Sequence, residues 1–97
     1  MLFAIITEDK PGSRDLRAAT RPTHLEYLQS SGTRVVVAGP LVGPDGETMT
    51  GSLLIVDVAD RAAAESFAAG DPYAKAGLFA KTTISAWRKV VFNPPAS

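Results

Sequence analysis

Four apolar, β-branched runs are interspersed with two stretches of helix-forming residues, and the runs are bounded by charge or by Pro-Gly, Gly-Pro or Pro-Pro pairs. That pattern restricts the fold more than any other feature of the chain. Leu2-Phe3-Ala4-Ile5-Ile6-Thr7 is a bulky run that stops at Glu8, Asp9 and Pro11-Gly12, which predicts a buried strand. Ser13 to Ser31 reads as a helix capped by Ser13 and stopped at Gly32. Pro22 falls inside it and predicts a kinked or two-piece helix. Val35 to Ala38 and Thr48 to Val58 read as two strands of a hairpin, with Gly39-Pro40 ending the first and Gly43-Pro44-Asp45-Gly46 supplying turn chemistry. Asp60 caps a short Ala-rich helix that Gly70 terminates. Asp71-Pro72-Tyr73 restarts the chain in a brief segment ended by Gly77, and Thr82 to Phe92 predicts a long last strand. The order βαββαβ is that of an α+β, ferredoxin-like fold: an antiparallel sheet with both helices on one face.

The chain has 97 residues, which predicts a single domain over 1–97 with a tail at about 93–97. A domain of this size leaves apolar surface uncovered, and the last strand has no wholly polar face, so a homodimer formed sheet to sheet is expected. Ten Lys and Arg balance ten Asp and Glu. Such a chain has no basic field to gather phosphates or anionic lipid, so neither nucleic acid nor membrane is an expected partner. With no cysteine there are no disulfides, thiolate nucleophiles or thiolate metal sites. The scattered carboxylates and single histidine have no metal-ligand spacing, and no phosphate-loop or serine-elbow motif occurs, so no metal or cofactor is expected. The run Met1 to Ile6 lacks a basic flank and is too short for a signal or spanning segment, which predicts a cytoplasmic protein.

His24 is the one side chain whose ordinary titration lies near neutrality, and so the first candidate for proton transfer. Arg21 precedes it by three residues and Leu28 follows by four, on the same helical face. A lone histidine is also compatible with a purely structural position. Asp71, held extended before Pro72, is suited either to cap the following segment or to orient an imidazole and choose its tautomer. Tyr73 offers a packed aromatic wall or a hydroxyl donor. Gly39-Pro40 marks a strand-ending bulge or a close approach to a ligand.

Arg21-Pro-Thr-His24-Leu-Glu-Tyr-Leu28, Gly39-Pro40-Leu41, Gly51-Ser52-Leu53, Asp71-Pro72-Tyr73 with Ala76-Gly77-Leu78, and Ile84 with Trp87 resemble, in this order, the YciI-like family over nearly the whole chain. The resemblance implies a dimeric α/β barrel of two ferredoxin-like units with a pocket in each protomer. It also implies a His-Asp pair at His24 and Asp71, with Arg21, Gly39, Pro40 and Tyr73 near the pocket. One branch of that family is a dehydrochlorinase of chlorinated hydroxyquinols. Two functions follow as expectations. One is a small cofactor-free acid/base enzyme, a lyase or isomerase, acting on a small cyclic or aromatic metabolite. The other is a non-catalytic ligand-binding or dimerisation module of the same fold.

Overall fold

In a computed structural model that describes residues 1–95, the chain runs β1 (Leu2–Asp9), α1 (Arg14–Ser30), a 3-10 turn (Gly32–Arg34), β2 (Val35–Val42), β3 (Met49–Asp57), α2 (Arg61–Gly70), α3 (Pro72–Lys75) and β4 (Phe79–Ala86). The four strands form one antiparallel sheet in the order β2-β3-β1-β4. This is the ferredoxin-like arrangement that the βαββαβ pattern predicts.

Register decides which residues face the helices. Phe3, Ile5 and Thr7 of β1 sit opposite Val56, Leu54 and Ser52 of β3, and all six are buried. Ala64 and Phe67 of α2 close over them, with Tyr27 and Leu28 of α1 half-buried at the margin. The alternate residues, Ala4 opposite Ile55 and Ile6 opposite Leu53, belong to the other face, where Val37 also pairs with Ile55. There Ile6, Val37 and Leu53 are 41, 46 and 37% exposed, so the sheet has an open apolar side.

Several local expectations change. Helix α1 is one continuous 17-residue element rather than two pieces. Pro22 is exposed, so the backbone bond it lacks falls on the solvent side, where a freed carbonyl is open to hydration. Ser13 makes no side-chain cap; only its carbonyl takes part, accepting from the Arg17 amide at 2.9 Å. Gly39-Pro40 does not end β2, which pairs with β3 through both residues and on to Val42. The irregularities lie instead between Val35 and Val37 and between Leu41 and Val42. β2 is an edge strand, and an edge tolerates a residue with no amide hydrogen. On the opposite edge the Arg61 guanidinium donates to the Ile84 carbonyl of β4 at 2.9 Å.

Strand β4 ends at Ala86, six residues short of Phe92. Its ladder with β1 closes where the Trp87 amide reaches the Leu2 carbonyl at 2.9 Å, and β1 offers nothing further to pair. The segment after Ala86 has no regular structure as far as residue 95. The irregular end is therefore longer than the tail expected at 93–97, of which Ala96 and Ser97 lie outside the described residues.

Candidate functional site

Helix α1 turns an unusual stripe inward. Its buried residues are Arg17 and His24, 5 and 7% exposed, while Leu16 and Leu25 keep much of their surface exposed. An amphipathic helix normally buries apolar groups, so two buried basic side chains need partners that offset their desolvation.

His24 finds one in Asp71, itself 4% exposed. The Asp71 Oδ1 lies 2.9 Å from His24 Nδ1 and also accepts the Tyr73 backbone amide at 2.9 Å. Capping and histidine contact, which the sequence leaves as alternatives, are thus performed by one oxygen. A carboxylate accepts, which assigns a proton to Nδ1, and in the neutral imidazole Nε2 then keeps its lone pair. Tyr73 adds a second constraint, because its ring stacks on the imidazole with centroids 4.0 Å apart and an interplanar angle of 21°. Arg17 lies two turns earlier on α1, its guanidinium carbon 4.6 Å from the same ring centroid, so the phenol fills the space between Arg17 and His24. Burial raises the Tyr73 hydroxyl above its ordinary value of 10.0, against the opposing pull of Arg17 and Arg21. It is therefore a neutral phenol in the physiological range.

Arg17 is held by three hydrogen bonds to two partners. Its Nε meets Asp9 Oδ2 at 2.6 Å, and its Nη2 donates to Asp9 Oδ1 at 3.1 Å and to Ser52 Oγ at 2.9 Å. The two-pronged pairing with a carboxylate fixes the plane of the guanidinium.

The approach of α1 to Asp71 depends on Gly70. A Cβ there would stand 2.7 Å from the Tyr27 hydroxyl, which donates to the Phe67 carbonyl at 2.8 Å and ties α1 to α2. Gly70 is the last residue of α2, without positive φ, so it ends the helix and serves close approach rather than a left-handed stop. Gly51 is tighter still: a Cβ would fall 2.0 Å from the Thr7 carbonyl oxygen, so only glycine admits β1 at this point beside Ser52.

These elements enclose a cleft of about 170 Å³. An apolar cavity of about 150 Å³ admits a benzene ring, so the space suits one small ring. His24, Arg21, Gly39, Pro40 and Tyr73 all line it, while Asp71 stands behind His24. Leu25, Leu28, Ala38, Met49 and Leu54 supply apolar wall, and Arg17 and Ser52 supply polar groups that the sequence reading missed. For Arg17 a signal existed: it precedes Arg21 by four residues and His24 by seven, on the same helical face. Among the described residues no three His, Asp or Glu side chains gather as a metal site, and no helix is long and apolar enough to cross a membrane.

Fold and site together define an α+β chain of ferredoxin-like topology with a cleft walled by a carboxylate-held histidine. A family model described as the YCII-related domain matches residues 1–88, and the chain belongs to that family. It is 33% identical to Protein YciI of Escherichia coli O6:H1, over 93% of this chain and 99% of the relative, and equally similar to Protein YciI of Shigella flexneri. Among solved structures it resembles 5-chloro-2-hydroxyhydroquinone dehydrochlorinase from Burkholderia phenoliruptrix, in complex with 2,5-dihydroxybenzoquinone. The TM-score is 0.82 and the identity 39%, covering 91% of this chain and 94% of that one. An antibiotic biosynthesis monooxygenase, 16% identical with a TM-score of 0.58 over 94% of this chain and all of that one, shares the fold alone.

Proposed function

We propose that this protein is a cofactor-free acid/base enzyme, a lyase or isomerase, in which His24 moves a proton on a small cyclic or aromatic metabolite and Asp71 orients it. The observation that carries this reading is the buried His24–Asp71 contact at 2.9 Å beside a cleft of ring size. With Nδ1–H engaged, Nε2 is the atom that accepts a substrate proton. Arg21, on the cleft wall, stabilises the phenolate or enolate oxygen that develops as the proton leaves. If the chemistry follows the dehydrochlorinase, the proton passes to Nε2 and chloride leaves with the C–Cl electron pair, so the net loss is hydrogen chloride. The protein acts as a homodimer in the cytoplasm. Its open apolar sheet face supports the pairing, since a domain this small leaves such surface for a second copy to cover.

Chloride release from 5-chloro-2-hydroxyhydroquinone tests the reading. Loss of a proton-transfer group costs about 10²- to 10⁴-fold in rate, and His24→Ala is expected to fall in that range. An unchanged rate refutes the assignment. Binding of 2,5-dihydroxybenzoquinone in the cleft without any turnover favours the non-catalytic ligand-binding module instead. Sedimentation at micromolar concentration checks the dimer.

A further inference from the structure

We propose that the cleft selects ring compounds bearing an oxyanion, a carboxylate or an enolate, and that the Ser52 hydroxyl together with Arg21 is the device that recognises it. The inference rests on the preceding reading of the cleft as a substrate site and adds the chemical class it takes.

Ser52 is buried, and its oxygen already accepts the Arg17 Nη2 hydrogen at 2.9 Å. A hydroxyl whose lone pair is engaged still carries a proton to donate, and Ser52 has no acceptor for it among the described residues. Because Ser52 lines the cleft, that proton is available to an occupant. Donation from a guanidinium into the same oxygen polarises the hydroxyl and makes it a stronger donor. Asp9 keeps Arg17 in place and cancels its charge, so Arg17 orients Ser52 and contributes little net field of its own.

Arg21 is the complementary cation. It is exposed at the cleft mouth, on the same helical face as Arg17 and His24, and has no carboxylate partner within salt-bridge distance among the described residues. Leu25, Leu28 and Leu54 line the same cleft and supply apolar wall for a ring. The cleft thus offers a buried donor, an unpaired cation and an apolar wall, the complement of an aromatic or quinonoid ring with one anionic oxygen function.

Benzoate, benzamide and 2,5-dihydroxybenzoquinone, an enolate at neutral pH, are the probes, titrated calorimetrically into the full chain. Benzamide matches benzoate in shape without its charge. The two anions are expected to bind at least tenfold more tightly than benzamide; if only one does, the source of the oxyanion is settled as carboxylate or enolate. Ser52→Ala is expected to weaken anion binding about 10- to 100-fold, the range for a hydrogen bond to a charged group, with a smaller loss for benzamide. Ser52→Thr, which keeps the hydroxyl, is expected to restore the preference. Arg21→Gln should weaken the anions and flatten their salt dependence. It carries the test by itself if Ser52→Ala fails to fold. Equal affinity for benzamide and both anions, or equal losses for all probes in Ser52→Ala, overturns the inference. Turnover that depends on His24 without any anion preference sinks this inference alone. Anion binding that persists while His24→Ala leaves turnover untouched sinks only the catalytic assignment.

Discussion

Replacing Asp71 separates the two contacts that converge on its Oδ1. Asp71→Ala strands the His24 Nδ1–H and the Tyr73 amide, both buried and each held at 2.9 Å. An unsatisfied buried donor costs about 1–3 kcal/mol, so the variant is expected to lose about 2–6 kcal/mol. At roughly 4–8 °C per kcal/mol for a domain of this size, a loss in the middle of that range lowers Tm by tens of degrees. Asp71→Asn retains an oxygen at the same place and surrenders only the charge-assisted part of the two bonds, about 1 kcal/mol. Asp71→Ser is the discriminating variant, since serine caps a helix well but is too short to reach His24. It should fall between the other two, at about 1–3 kcal/mol, with only the histidine stranded. Urea denaturation followed by circular dichroism at matched protein concentration measures all three, the matching keeping any self-association equal across the variants. The expected order is wild type, Asn, Ser, Ala. Ser equal to Asn would show that the His24 contact contributes nothing, and Ala equal to Asn would remove both halves of the reasoning.

Gly51→Ala places a methyl 2.0 Å from the Thr7 carbonyl oxygen, a backbone atom that cannot step aside. The expected cost is at the top of the overpacking range, about 3 kcal/mol, read as an early urea midpoint with slowed exchange protection lost first along β1 and β3. At high pH the Tyr27 phenol becomes informative: burial raises it above 10.0, with the Asp71 charge adding to the rise and Arg34 opposing. A folded state that holds a proton more tightly than the unfolded chain keeps this contribution below pH about 10 and loses it as pH climbs through the raised value. Stability should therefore decline above pH about 10, and Tyr27→Phe should flatten that decline; an identical slope in the variant contradicts the assignment.

The strand and helix order was legible because each element is announced locally, by β-branched runs, by Ala-rich stretches and by Asp or Gly at their ends. Errors arose where partners decide. Trp87 to Phe92 keeps a strand's pattern, yet β4 stops when β1 has no residue left to pair. Gly39-Pro40 looks like a terminator, but on an edge strand the missing amide is not needed. In the site, His24 stood out by being unique and Asp71 by its place before Pro72. Arg17 did not, because an arginine on a helix reads as solvent-facing and its partners Asp9 and Ser52 lie 8 and 35 residues away in sequence. Gly51 and Gly70 were visible as glycines, but the Thr7 carbonyl and Tyr27 hydroxyl that require them belong to distant segments.

The two rims of the sheet are blunted by different means. On β2, Pro40 offers no amide hydrogen to an incoming strand; on β4, the Arg61 guanidinium already occupies the Ile84 carbonyl. A sheet so finished resists growth strand by strand, the route to open-ended aggregates, although its face remains apolar. The face-to-face pairing proposed above is the route such rims leave open, and Gly39-Pro40, which lines the cleft, also helps to close the edge route.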